Sequence, residues 1–386
     1  MLSFDNIRQT KSNALYFLLI LVPIAIVSSL TDTDNIIVFT TSGIALVPLA
    51  KLIGDSTEHL GSHYGSTIGS LLNVTFGNAA ELIIAISAIN SGLFTLVKAS
   101  ITGSILGNIL LIFGLSILVG GLKHKEQYFN RENTGIQSSM LFLAIIGLAV
   151  PTIIATTGPN PSTLPQIEQG EKMRFLSDSV AFILLIVYVA GILFAFITHK
   201  HLFTTRYQLQ QQERLQQQQT HNDQNELSED KESTWTKKKS FVILFMSIVG
   251  VVIVSEILVG SVEVTAEEYG FGELFIGAII VGLVGNAAEH SSAVMLASRN
   301  KLDLSIGIAA GSGTQVALFV APILVIIGAF LGKPFTLVFT PFELAALILA
   351  AIILNWISHD GKSNWFEGVM LTAVFIVIAI GFFFVG

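Results

Sequence analysis

The chain has 386 residues, of which 52% are hydrophobic and only 12% charged, a composition outside the range of soluble globular domains. It contains no cysteine, which excludes disulfides, thiolate metal sites and cysteine nucleophiles together. A formal charge of -7 without a basic tract argues against a nucleic-acid partner.

Apolar runs of about 20 residues, the length that crosses a bilayer as a helix, are predicted near 14–30, 36–53, 68–90, 93–119, 137–155 and 176–198. Five more follow near 241–262, 274–297, 302–331, 339–357 and 366–385. The predicted fold class is an all-α polytopic membrane protein with eleven transmembrane helices. The first run lacks a small-residue cleavage site behind it, so it is a retained span rather than a signal peptide. With the N-terminus in the cytoplasm, all but four of the 20 Lys and Arg fall on the cytoplasmic side. The four are Lys98, Lys172, Arg174 and Lys333, and the bias sets the N-terminus inside and the C-terminus outside. The short N-terminal stretch points to a prokaryotic plasma membrane.

Between the sixth and seventh runs the composition changes. Residues 208–219 read QLQQQERLQQQQ, and a mixed-charge piece with Glu226, Glu229, Asp230 and Glu232 leads to Lys237, Lys238 and Lys239. Such a segment has too little apolar surface to order itself, so it is expected to be a cytoplasmic linker. Across it the two halves repeat at an offset of 208 residues. Gly77, Asn78, Ala79, Ala80 and Glu81 return as Gly285, Asn286, Ala287, Ala288 and Glu289, and Gly103-Ser104 returns as Gly311-Ser312. The predicted organisation is an N-terminal tail and extra helix (1–35), a first five-helix repeat (36–199), the linker (200–240) and a second five-helix repeat (241–386). Five spans per repeat force the second copy upside down in the membrane, the arrangement secondary transporters use to place a site at the midplane.

A carboxylate in the middle of a bilayer costs about 2.5–3.5 kcal/mol even on insertion scales, so Glu81 and Glu289 need partners or a polar cavity. Asn78 and Asn286 stand three residues earlier on the same helix face. Gly77 and Gly285 let the helix open or pack closely, and an opened turn adds backbone carbonyls. Carboxylates, amide oxygens and hydroxyls together suit a hard divalent cation such as Ca²⁺, which takes oxygen ligands in flexible geometry. Imidazole-rich or thiolate ligation is missing, which disfavours zinc and copper. At about 6 Å and an effective dielectric near 20, two such carboxylates repel by about 2.8 kcal/mol. Protons or a dication relieve that repulsion, so the two compete for one site. Ser104, Ser312 and Gln315 follow in the next spans, as further ligands or as groups bonded within their own helices. His290, next to Glu289, is either a proton carrier or a satisfied polar contact. Glu58, expected in a connection, and Glu256, inside the seventh run, are candidates for the cytoplasmic access route. The outer acids Glu263, Glu267, Glu268 and Glu273 read as a solvated loop.

The segments GNAAELIIAISAI and VGNAAEHSSAVMLASRNKLDLSIGIAAGSGTQVALFVAP resemble the paired signature helices of calcium/proton exchangers, the CAX branch of the calcium/cation antiporter superfamily. The resemblance covers most of the chain from about Leu46 onward. It implies eleven spans, an inverted five-plus-five core, and Ca²⁺ export from the cytosol driven by inward protons, with no cofactor. By motif position it implies ion binding at Glu81 and Glu289, support from Asn78, Asn286, Ser104, Ser312 and Gln315, a functional place for His290, and Glu58 at the cytoplasmic mouth. The glutamine-rich linker departs from the acidic segment such proteins often carry there. Three other readings stand beside it: a sodium/calcium exchanger, a channel, and an intramembrane serine hydrolase using Ser312 with His290 as base.

Overall fold

The computed structural model describes residues 15–31, 33–64, 72, 75–157, 170–199, 202 and 235–385. The glutamine-rich stretch 208–219 and its acidic neighbours lie outside them, as do Arg8, Lys11, Lys200, Arg206, Arg214 and Lys231.

A tight turn, Leu15–Ile20, leads into α1 (Leu21–Ser29), followed by α2 (Asn35–Tyr64), α3 (Ala79–Ser91), α4 (Phe94–Leu106), α5 (Phe113–His124), α6 (Arg131–Thr157) and α7 (Glu171–Leu193). After the linker come α8 (Lys237–Tyr269), the short α9 (Glu273–Phe275) and α10 (Gly282–Val284), α11 (Ala287–Ala297), α12 (Leu302–Gln315), α13 (Ala321–Phe330), α14 (Pro341–Ile357) and α15 (Trp365–Val385). Wide π turns bridge several of these. Gly107–Ile112 joins α4 to α5, Ile276–Val281 joins α9 to α10, and Val316–Val320 joins α12 to α13. Phe94–His124 and Leu302–Phe330 therefore run on as single spans.

Among the described residues seven helices are long and apolar enough to cross a membrane, eight if the bent pair Glu273–Val284 and Glu289–Ala297 is one span. Three shorter apolar helices accompany them: Leu15–Ser29, Ala79–Ser91 and Pro341–Ile357. The outward faces are apolar as well: Phe175, Phe182, Ile183 and Ile186 stand exposed along α7. Only lipid tolerates such a surface around a helical bundle, so the protein is a multi-pass integral membrane protein.

Local chemistry sets the ends. Thr340 and Glu343 form a reciprocal capping box at the start of α14, with Pro341 in the first turn, which satisfies the free amides there. Gly92 and Gly270 close α3 and α8 with φ of +82° and +69°, a conformation that favours glycine. Several helices outrun their apolar runs. The largest correction is α2, predicted to end near residue 53 and continuing to Tyr64. Its polar end stays helical because its side chains bond within the helix: Lys51 pairs with Asp55 at 2.9 Å, and Ser56 and Thr57 donate to Leu52 O and Gly54 O. Glu58 thus lies on a helix rather than in a connection, and is exposed.

Two packing features position the site. First, α2 and α8 run antiparallel in close contact: a Cβ on Gly43 would meet Leu258, and one on Gly250 would meet Leu49. Second, α4 crosses the Ile276–Val281 turn at the limit of approach. A Cβ on Gly103 would overlap the Ala278 backbone, and one on Gly282 would stand 2.8 Å from Ser104 N. Small residues allow backbones this close inside a membrane, and here they press the two copies of the repeat motif together. At one end of the bundle β1 (Glu126–Tyr128) pairs antiparallel with β2 (Lys362–Asn364). Buried Gln127 donates from there to Ala297 O at 2.8 Å, tying that end to the close of α11.

Candidate cation site

The two GNAAE segments fold alike. Each places its Gly-Asn in a turn and its Asn as the N-cap, so α3 starts at Ala79 and α11 at Ala287, 208 residues apart. In the second copy the chain bends by 64° across that break. Each glutamate therefore lies in the first turn of a helix that begins inside the membrane, where free backbone amides and the helix dipole favour an acid.

The break brings the copies face to face. Glu81 is buried, and its carboxylate rests on the backbone of Gly285: a Cβ there would stand 2.8 Å from Oε1 and 2.9 Å from Cδ. The glycine serves close approach as well as bending. Glu81 lies within electrostatic reach of Glu289, and Glu289 within hydrogen-bonding reach of Ser312. Neither oxygen of Glu81, nor Oε2 of Glu289, has a hydrogen-bond partner although all three are buried. A buried carboxylate without partners costs several kcal/mol if charged, and a proton or a cation removes that cost.

Amides and hydroxyls surround the acids in a network that crosses between the copies. Asn78 Nδ2 donates to Gln315 Oε1 at 2.7 Å, and Asn286 Nδ2 to Ser104 Oγ at 2.6 Å. Ser312 Oγ stands 3.5 Å from Asn78 Oδ1 and 3.4 Å from Asn286 Oδ1. Both asparagines thus spend their amide hydrogens on protein and turn their carbonyl oxygens toward the shared serine. Oxygen faces the centre, which suits a hard cation. Among the described residues no group of three or more His, Cys, Asp or Glu is placed to hold a metal, so any cation here leans on two carboxylates and neutral oxygens.

The predicted residues Glu81, Glu289, Asn78, Asn286, Ser104, Ser312, Gln315, Gly285 and His290 all come together. Gly77 forms the matching turn in the first copy. Glu58 and Glu256 do not join them. Glu256 projects from α8 beside exposed Val252 and Ile253. In the antiparallel register of α2 and α8 it lies level with Ile44, about 20 Å along the axis from Glu58 at 1.5 Å per residue.

Two groups escaped prediction. Asn108, fully buried, donates to Ser312 Oγ at 3.2 Å and holds His290 Nε2 at 3.2 Å with its carbonyl oxygen. That acceptor fixes the proton on Nε2 of His290. Asn108 lies one turn beyond Ser104, and a lone amide in an apolar run was the signal available; the repeat conceals it because its counterpart at the same offset is Val316. It also stands between Ser312 and His290, which make no hydrogen bond to each other, so a serine–histidine nucleophile is not assembled. The second group is Glu343 of α14, fully buried, which accepts from Thr102 Oγ1 at 3.2 Å and Thr340 N at 2.8 Å beside Lys98. Lys98, which the charge bias puts on the outer side, is buried in α4.

Fold and site together define the class: a multi-pass helical membrane protein enclosing an oxygen-lined centre with two carboxylates. The chain belongs to the family described as sodium/calcium exchanger protein, which matches residues 35–197 and 239–384, a family of secondary transporters. It is 42% identical over 375 residues to a Ca²⁺/H⁺ antiporter of Aphanothece halophytica, covering 97% of each chain. It is 39% identical to the Ca²⁺/H⁺ antiporter ChaA of Bacillus subtilis, covering 96% of this chain and 99% of that one. Among solved structures it resembles native YfkE with a TM-score of 0.77 at 37% identity, covering 96% of this chain and 99% of that one. The H⁺/Ca²⁺ exchanger CAX shares the fold with a TM-score of 0.67 at 15% identity, covering 97% and 93%.

Proposed function

We propose that the protein is an antiporter that exports Ca²⁺ from the cytosol in exchange for protons by alternating access, with Glu81 and Glu289 holding either protons or Ca²⁺. The observation that carries this reading is the carboxylate of Glu81, pressed on Gly285 of the other motif with neither oxygen bonded to protein. With both acids ionised and no cation, repulsion and lost hydration oppose each other's charge. Two protons neutralise the pair, and so does one Ca²⁺, but occupancy by one displaces the other. Asn78, Asn286, Ser312, Ser104 and Gln315 supply and orient neutral oxygens, while Asn108 aligns His290 beside the site. Three relatives at 39–42% identity are named Ca²⁺/H⁺ antiporters, which favours protons over sodium as the counter-ion.

The architecture we infer is eleven spans: the long helices, the bent pair and the three shorter apolar helices. One extra helix (1–35) precedes two inverted five-helix repeats (36–199 and 241–386) joined by the linker (200–240). The matched helix starts at Ala79 and Ala287 support that repeat. So do the wide turns that follow Ser104 in one copy and Gln315 in the other. The N-terminus and linker are cytoplasmic, the C-terminus outside, Glu58 lies toward the cytoplasmic mouth, and the membrane is a prokaryotic plasma membrane. Replacing Glu81 or Glu289 by Gln abolishes proton-linked Ca²⁺ flux in vesicles while the protein stays folded. Unchanged flux in either variant contradicts the assignment.

A further inference from the structure

The end of the bundle away from β1 and β2 carries a cavity with different chemistry. About 360 Å³ in volume, it lies between the first turns of α7 and the end of α13, lined by Arg174, Asp178, Val325, Ala329, Gly332, Pro334 and Phe335. That volume is within the usual range for small-ligand sites, ~300–1,000 Å³. None of these residues belongs to the cation site, so the inference stands apart from the exchange reading.

Three observations define its ligand. The first is charge. Arg174 and Asp178 are four residues apart on one face of α7, and both line the cavity. The second is an unmet cation: the half-buried Arg174 side chain lines the cavity, and its Nε finds no acceptor on the protein. A buried donor left unpaired costs about 1–3 kcal/mol, more when charged, and guanidinium matches phosphate in shape and charge. Lys333, on the neighbouring loop, is engaged elsewhere, donating to Asn90 O at 2.8 Å. The third is what lies below. From Asp178 the exposed stripe Phe182, Ile186, Val189 and Leu193 continues down α7 at spacings of three and four, with 64%, 53%, 53% and 48% of each side chain's surface exposed. A headgroup cavity at the end of an apolar track fits a lipid with its acyl chain along that track.

We propose that this cavity binds the headgroup of a phosphatidylethanolamine-type lipid, its phosphate on Arg174 and its primary ammonium on Asp178. An anionic headgroup answers Arg174 but meets repulsion from Asp178. A choline headgroup offers Asp178 no hydrogen bond, because a quaternary ammonium has no N–H. The ethanolamine phosphate satisfies both groups.

The full-length protein is reconstituted in vesicles of equal parts phosphatidylethanolamine, phosphatidylcholine and phosphatidylglycerol and extracted in mild detergent. The lipid that stays bound is then measured by native mass spectrometry. Phosphatidylethanolamine is retained over both others, and Arg174→Gln and Asp178→Asn each lower that preference at least about fivefold, as for one lost charge-assisted hydrogen bond. Free phosphoethanolamine at millimolar concentration leaves the bound lipid in place, because it lacks the acyl chain. Equal retention of the three lipids, a preference for phosphatidylglycerol, or displacement by free phosphoethanolamine overturns the proposal. If Arg174→Gln does not fold, the exposed Asp178→Asn decides alone, and an unchanged lipid preference in that variant overturns it as well.

Discussion

Substituting Gly285 by alanine probes the contact between the two motifs without touching a carboxylate. The position has φ -56° and ψ -40°, so alanine suits its backbone and removes none of its bonds. Its new Cβ would stand 2.8 Å from Oε1 of Glu81, where ordinary contact begins at 3.4 Å, so the carboxylate must retreat by about 0.6 Å. Those atoms are the end of a flexible side chain and can yield, so folding is expected to change little. Binding is not so tolerant. Moving one carboxylate oxygen from about 2.4 Å to about 3.0 Å from a dication costs roughly 3 kcal/mol at an effective dielectric of 20. Relaxation of the other ligands recovers part of this, so the expected loss of Ca²⁺ affinity is about 10- to 100-fold. The assay is Ca²⁺ uptake against concentration in proteoliposomes, with thermal unfolding as the control for folding. Gly260→Ala serves as the reference, since no atom lies within 4 Å of its Cβ position, and it keeps wild-type kinetics. A folded Gly285→Ala protein with unchanged apparent affinity would refute the claim that Glu81 is held against the second motif.

Asn108→Ala removes the hydrogen bonds to Ser312 and His290; it should raise the half-saturating Ca²⁺ concentration about 5- to 150-fold, at roughly 1–3 kcal/mol, while the maximal rate reports separately on His290. Apparent Ca²⁺ affinity should fall as pH falls, because each proton the cation must displace adds up to about tenfold per pH unit; uptake titrated at several pH values without added sodium checks the sign, and a pH-independent affinity counts against competition. Glu343→Ala leaves Lys98 buried beside a lost partner and should destabilise the protein by about 3–5 kcal/mol, whereas Lys98→Met with Glu343→Leu recovers most of that loss, as thermal unfolding of the single and double variants would show. Gly103→Val drives a side chain into the Ala278 backbone and should prevent folding, seen as loss of a monodisperse peak in size-exclusion chromatography.

Much of this arrangement was legible in the sequence because membranes make polarity conspicuous. Glu81 and Glu289 stand out in runs where any charge is costly, and their repetition at one offset marks the two motifs that the fold brings together at Glu81 and Gly285. Asn108 was not legible by that route, because the repeat departs from symmetry there: one copy supplies its second amide as Asn108, the other as Gln315, three residues beyond Ser312 rather than four beyond Ser104. Helix ends were misjudged where polarity was equated with loops. Lys51 through Tyr64 remain helical through internal bonds, which hydropathy does not register, and Glu58 moved from a loop to a helix in consequence. Glu256, a charge within an apolar run, stands exposed on α8 apart from the paired acids, a placement set by helix packing that hydropathy does not carry. Glu343 and Lys98 were hidden for the same reason, being 245 residues apart in sequence and joined only when α14 packs on α4.

Proton movement in response to Ca²⁺ is the most direct measurement. Vesicles carrying the purified protein and an internal pH dye, placed in a Ca²⁺ gradient without sodium, should show protons flowing against the Ca²⁺ flux, with the signal gone in Glu81→Gln and Glu289→Gln. Ca²⁺ flux that leaves internal pH unchanged, or proton flow that persists in both variants, would contradict exchange at these two carboxylates.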